Sequence, residues 1–384
     1  MTLAYETRDL VVDGDSHILE PPDLWTTYLE DRYKERAIKI VRSDGHEQLW
    51  MDNQVLLPGG LPVLGGVDVD RQKLLDPESG LSYMDAAPAS SMDGAARLEM
   101  YDRQGISAGL ALPTIGILWD VDDVDLGNAY ARAYNRWLYD FQAPDRDRII
   151  TACHLHLKDP DEALRELKRC LKLGFKAVFL PPERPQGKPL THPDFAPIWH
   201  ELEETGVPAV LHLVVRLRNL RASPTSQWYE PGQTPRLFAF SLGATLQVIP
   251  AVCALVTDGL FDQFPRLKVL VVEAGAGWAA YVMDRMDAKY RHFGFETPLD
   301  LGRPSEYFRR NLWFCAEPEE RTIDAMLDLV GDDRIVWGSD FPHVDSCSEA
   351  PAQIRASVAG LSEARRRAVL GGNAERLFGL GAHA

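Results

Sequence analysis

The alternation of uninterrupted apolar strands with amphipathic helical stretches constrains this chain more than any other feature. Ile149-Ile150-Thr151-Ala152-Cys153 reads as a strand, Pro160 to Leu173 as a helix with Ala163, Leu164, Leu167 and Leu171 at helical spacing, and Phe175 to Leu180 as a strand again. The unit recurs. Residues 194–205 read as a helix, Pro208 to Leu213 and Lys268 to Glu273 as strands, and Trp278 to Tyr290 as a helix. Leu312 to Cys315 and Arg334 to Ser339 bracket a helix expected over 318–330, with Pro318 in its first turn. Strands that are apolar along their whole length have no face to give to water, so they form a parallel sheet covered by helices. Val11 to Gly14 and Ile106 to Pro113 bring the candidates to eight, the number that closes a (β/α)8 TIM barrel in the α/β class. A single barrel domain over 1–384 accounts for every strand; a doubly wound sheet is the alternative.

Residues 31–97 and 216–245 break the rhythm and read as loops inserted into the barrel. They serve either to roof the active-site face, where barrel enzymes elaborate their loops, or as surface excursions and oligomer contacts.

The 57 acidic and 41 basic residues give a formal charge of -16 with no long basic run, which argues against a nucleic-acid partner. Met1 to Asp9 carries charges and no apolar signal core. Apolar runs elsewhere look shorter than the roughly 20 residues that cross a bilayer, so no membrane partner and a cytoplasmic location are expected. Cys153, Cys170, Cys253, Cys315 and Cys347 are scattered without a Cys-x-x-Cys pair, which argues against a disulfide framework or zinc knuckle.

Polar side chains recur where the apolar strands end. Asp15 and His17, in Asp13-Gly14-Asp15-Ser16-His17, lie on one side of an extended segment because strand side chains alternate. His212, Glu273 and Asp340 end later strands, and strand ends converge around a barrel axis. A carboxylate and an imidazole suit one divalent ion, and His212 and Asp340 complete a set of Asp15, His17, His212 and Asp340. Mixed nitrogen and oxygen donors favour zinc, with manganese next because Asp15 makes the set richer in oxygen. The plainer readings are a capping acid beside a core histidine for Asp15 and His17, a helix cap for Asp340 and an internal salt bridge for Glu273. Burial can raise the Glu273 carboxyl toward neutrality, where it works as an acid or base, and a nearby cation opposes that rise.

His343 is a candidate substrate donor, and Arg216 and Arg218 could grip a substrate carboxylate with both arms of a guanidinium or simply be solvated. His154 and His156 look like a loop near a helix start and stay outside the ligand set. Glu317 sits near the rim. No Gly-x-Gly-x-x-Gly follows a strand, and neither a phosphate loop nor a Gly-x-Ser-x-Gly elbow is present.

From Asp13-Gly14-Asp15-Ser16-His17-Ile18-Leu19-Glu20-Pro21 to Gly371-Gly372-Asn373-Ala374-Glu375-Arg376-Leu377-Phe378, the chain resembles the amidohydrolase-related family, the branch of the metal-dependent hydrolases that includes aminocarboxymuconate-semialdehyde decarboxylase and aromatic-acid decarboxylases. The resemblance implies the same barrel, a metal set matching Asp15, His17, His212 and Asp340, and a homo-oligomer, most simply a homodimer. Where many of the family's decarboxylases carry a proton-transferring histidine, this chain has Glu273. That departure makes hydrolysis the leading expectation: a small carbonyl-containing substrate attacked by metal-activated water, with Asp340 orienting the water and Glu273 protonating the departing group. Non-oxidative decarboxylation of a small aromatic or unsaturated acid is the alternative. A noncatalytic oligomeric scaffold is the third reading.

Overall fold

The computed structural model describes residues 9–43, 45–119, 121–217, 228–230, 233–297 and 299–381. The barrel strands are β1 (Val12–His17), β5 (Ala108–Leu112), β6 (Ile149–His154), β7 (Ala177–Leu180), β8 (Ala209–Leu211), β9 (Val269–Val271), β10 (Leu312–Ala316) and β11 (Ile335–Trp337). They close in the order β1-β11-β10-β9-β8-β7-β6-β5, and β5 pairs back with β1. Every pairing around the ring is parallel, and Asp13 opposite Trp337 joins the first strand to the last. All residues of these strands are buried, which explains the largely apolar sequence of every one but β1, whose polar residues Asp13, Asp15, Ser16 and His17 are buried as well.

The covering helices include α1 (Gly94–Gln104), α2 (Val124–Phe141), α3 (Pro160–Lys172), α4 (Ala196–Thr205), α5 (Arg236–Thr257), α6 (Trp278–Phe293), α7 (Ile323–Val330) and α8 (Ala350–Ser357). Asp93, Asp123 and Asp159 cap α1, α2 and α3 by accepting from the amides of Ala96, Leu126 and Glu162 at 2.8, 3.1 and 3.0 Å. The helix expected from Pro318 begins only at Ile323. Glu320 explains the delay: its carboxylate accepts from the amides of Ala276 and Gly277, tying the preceding turn to the β9–α6 loop.

Within 31–97, β2 (Lys39–Ser43), β3 (His46–Met51) and β4 (Gln54–Leu57) form a separate antiparallel sheet, and Leu57, Val63 and Leu64 line the cavity above the barrel. The second inserted stretch ends differently from expectation, because α5 starts inside it at Arg236. Cutting the sequence at residue 245 hid an apolar run: α5 has 22 residues and is long and apolar enough, by length and composition, to cross a membrane. Val248, Val252, Leu255 and Val256 are its buried face, while Leu237 is 82% exposed.

Candidate metal centre and active site

The C-terminal ends of β1, β8, β9 and β11 bring Asp15, His17, His212, Glu273 and Asp340 together. Gly338 makes the approach possible, since a Cβ there would overlap the Asp15 side chain. Asp13, buried below them, accepts from the hydroxyl and amide of Ser339 at 2.6 and 3.0 Å and fixes the start of the β11 loop; burial pushes its carboxyl up to about 6. Glu273 and Asp340 both occupy left-handed backbone, at φ 50° and 54°. Each is where the chain swings off its strand.

Proton positions follow from the hydrogen bonds. The Nδ1 atoms of His17 and His212 lie 2.8 and 2.7 Å from the carbonyls of Pro113 and Leu213, and only an N–H satisfies a carbonyl, so Nδ1 carries the proton in each neutral ring. The two Nε2 atoms face each other at 3.1 Å, and Glu273 Oε2, 2.7 Å from that of His212, raises the affinity of this imidazole for a second proton in the absence of an ion. An ion would take that proton's place, since about 3 Å is the separation of two nitrogens bound at 2.0–2.1 Å to one ion. Asp15 Oδ1 and Asp340 Oδ1 sit 3.7 and 3.5 Å from His17 Nε2. Asp15 Oδ1 is also buried without a hydrogen-bond partner among the described residues. Asp15, His17 and His212 form one group with ligand atoms close enough to share an ion, and His17, Asp340 and His343 a second. Burial pushes the Asp15 and Asp340 carboxyls well above the usual carboxylate range and the His17 imidazole well below its own, the signature of a desolvated donor set that a cation would relieve.

Glu273 departs from the neutral acid the sequence suggested. Burial raises it, but the His212 imidazole, whose Nε2 is 2.7 Å from Glu273 Oε2, outweighs that and holds the carboxyl below its usual range. Its backbone N–H donates to Asp15 Oδ2 at 3.0 Å and fixes that carboxylate.

His343 belongs to the same site. Its Nδ1 is 2.8 Å from Asp340 Oδ1 and its Nε2 3.1 Å from Thr114 Oγ1. The Thr114 hydroxyl spends its single proton on the Ile18 carbonyl, so His343 Nε2–H donates to Thr114, and a further proton lies between His343 Nδ1 and Asp340. Asp340 and His343 are thus a proton-sharing pair.

Arg216 is not a free fork. Its Nε and Nη2 donate to Glu183 at 3.1 and 2.7 Å and its Nη1 to the Ile117 and Trp119 carbonyls, so it joins two loops instead of reaching for substrate. Arg218 lies outside the described residues. His154 is no loop residue: it ends β6, buried, with its ring on Phe179 at 4.9 Å and Trp119 at 4.1 Å.

The residues that sequence reasoning missed act from behind. Glu20, buried, accepts from the amides of Ile115 and Gly116 at 2.7 and 3.0 Å, shaping the loop that carries Thr114. Arg97, fully buried, donates to the His17 carbonyl. Glu20 leaves a trace in the sequence as a charge beside Ile18 and Leu19, whereas Arg97 lies among other charged residues and leaves none.

A family model described as Amidohydrolase matches residues 68–380. Gamma-resorcylate decarboxylase of Rhizobium radiobacter is 30% identical over 298 residues, covering 74% of this chain and 86% of that protein. Among solved structures, an amidohydrolase from Mycobacterium avium subsp. paratuberculosis K-10 superposes with a TM-score of 0.78 at 24% identity, over 97% of this chain and all (100%) of that one. A 5-carboxyvanillate decarboxylase from Novosphingobium aromaticivorans, complexed with manganese and 4-hydroxy-3-methoxy-5-nitrobenzoic acid, matches with a TM-score of 0.68 at 21% identity, over 98% and 97% of the two chains. The expectation of hydrolysis by metal-activated water is corrected by the match to gamma-resorcylate decarboxylase, which supports the alternative reading.

Proposed function

The chain belongs to the amidohydrolase family, a family of metal-dependent enzymes, and from that premise we propose that it catalyses non-oxidative decarboxylation of an aromatic or unsaturated acid. The observation that carries the reading is the 30% identity, over 74% of this chain, to a gamma-resorcylate decarboxylase, in a chain whose strand ends converge two imidazoles and two carboxylates on one point. Asp15, His17, His212 and Asp340 would hold the ion. Manganese is preferred to zinc, because two carboxylates make the donor set rich in oxygen. When bound, the ion would supply Lewis-acid polarisation of the oxygens on the substrate head.

The protein's own residues supply the rest. The proton shared by Asp340 Oδ1 and His343 Nδ1 is delivered to the carbon bearing the carboxyl group. The electrons of the carbon–carboxyl bond return to the ring as carbon dioxide leaves, and solvent restores the proton to the pair. With Nε2 of His212 engaged in ligation, Glu273 loses its ion-pair partner and its carboxyl is free to exchange a proton beside the reacting carbon. Glu273→Gln is expected to lower kcat by about 100-fold with ion content kept, since its backbone N–H still holds Asp15. Steady-state kinetics beside metal analysis checks this.

The reading is tested by supplying metal-loaded protein with ring-hydroxylated benzoates in deuterium oxide. Release of carbon dioxide with one deuterium at the vacated carbon supports it. Oxygen-18 from water appearing in a cleaved product, with no carbon dioxide, would overturn it.

A further inference from the structure

The cavity above the site is much larger than the reaction at its floor requires. It encloses about 1000 Å³, the upper end of the roughly 300–1,000 Å³ that receives whole drug-sized ligands. Asp15, Asp340 and His343 stand at one end, and Asp15 Oδ1, buried and unpartnered among the described residues, marks that end as built for a ligand. Away from it apolar residues predominate in the wall, with Arg184 and Arg236 among them. α5 contributes the small Ala239, Gly243, Ala251 and Ala254 to the lining, together with Phe240 and Gln247. The small positions leave a furrow beside the larger side chains of the helix, and Pro189 and Leu190 from the loop after β7 supply part of the facing wall. The lining positions on α5 run from Arg236 to Leu255, roughly 28 Å of helix axis. The charged pair that lines the cavity nearby, Glu183 and Arg216, is neutralised within itself. At the rim Phe240 is 52% exposed, an apolar threshold for entry.

We propose that this furrow takes a hydrocarbon tail, so that the substrate is an acid whose ring or unsaturated head carries a long unbranched alkyl substituent. The head lies over Asp15, His17, His212 and Asp340, and the tail lies along α5. The proposal rests on the decarboxylase reading only for the identity of the head. A one-ring acid would fill the metal end and leave the apolar length of the cavity wet, whereas a tail removes that surface from water.

The test uses metal-loaded protein, ring-hydroxylated benzoates bearing straight alkyl chains, and the matching alkylresorcinols as binding probes, all below their micelle concentrations. From one to about ten carbons, each methylene is expected to tighten alkylresorcinol binding about threefold to fourfold in calorimetry, with kcat/KM of the acids rising in step. A Cβ at Gly243 meets nothing within 4 Å, so Gly243→Phe places a ring in the furrow without forcing the helix; the gain should stop at a shorter chain in that variant. Affinity that is flat with chain length overturns the proposal whether or not carbon dioxide is released, and so does an unchanged gradient in Gly243→Phe. A steep gradient with no carbon dioxide from any acid supports the furrow and overturns the decarboxylase reading alone.

Discussion

Asp340→Asn lowers turnover by about a thousandfold while the protein remains folded. Asparagine keeps the shape of the side chain and, like aspartate, tolerates the left-handed backbone found at this position, so the loop after β11 is not disturbed. What disappears is a carboxylate 3.5 Å from His17 Nε2 and the acid that shares a proton with His343. An amide cannot accept and return that proton at neutral pH. Its oxygen still offers one neutral ligand, so ion content falls less than activity does. Single-turnover kinetics on fully metal-loaded protein separate the two losses. Turnover within tenfold of the wild type would remove Asp340 from the chemistry and leave His343 or Glu273 as the proton source.

Arg97→Ala costs about 4 kcal/mol of folding stability, among the largest single-residue effects expected here. Arg97 rises from α1 into the space beneath β1, fully buried, with its guanidinium 4.9, 5.8 and 5.9 Å from the ring centres of Phe341, Tyr101 and Phe141. Removing it opens a cavity among three aromatic rings, strips the His17 carbonyl of its donor and leaves the buried Asp13 without a nearby cation. Urea unfolding with the slope held common between variants measures the loss. A loss below about 1 kcal/mol would show that the rings collapse onto the space and that the His17 carbonyl finds water. Because Arg97 touches both the His17 backbone and Phe341, two residues before His343, the variant should also bind its ion more weakly. Added metal should then restore part of the stability.

Most of the strands were legible because a strand buried on both faces writes itself as a nearly continuous apolar run, as in Ile149 to Cys153 and Val269 to Val272; β1 was read from its apolar start at Val11 and Val12. The metal-facing residues were legible for a related reason: a polar side chain ending such a run stands out, and Asp15, His17, His212, Glu273 and Asp340 meet around one cluster. Spacing could not reveal how donors are spent. Arg216 looks like a substrate clamp in sequence, yet Glu183 and two carbonyls from the β5 loop take four of its five N–H groups, and those partners are distant along the chain. Glu273 looked like a raised acid because burial is easy to infer from an apolar run, whereas the opposing imidazole comes from the neighbouring strand. Hydrolysis was favoured on the strength of that one substitution. The donor geometry itself is neutral between water attack and carboxyl loss, and only the relatives separate them.

The left-handed backbone at Glu273 and Asp340 has a consequence for how this protein would evolve in the laboratory. Each residue is held in a conformation that costs an L-amino acid on the order of 1–3 kcal/mol, and glycine there would carry no such penalty. Selection for heat tolerance alone would therefore reward glycine at two of the positions where a carboxylate belongs to the site, and the hardiest descendants would be inert. A campaign for durability has to screen for turnover in every round, or hold these two codons fixed.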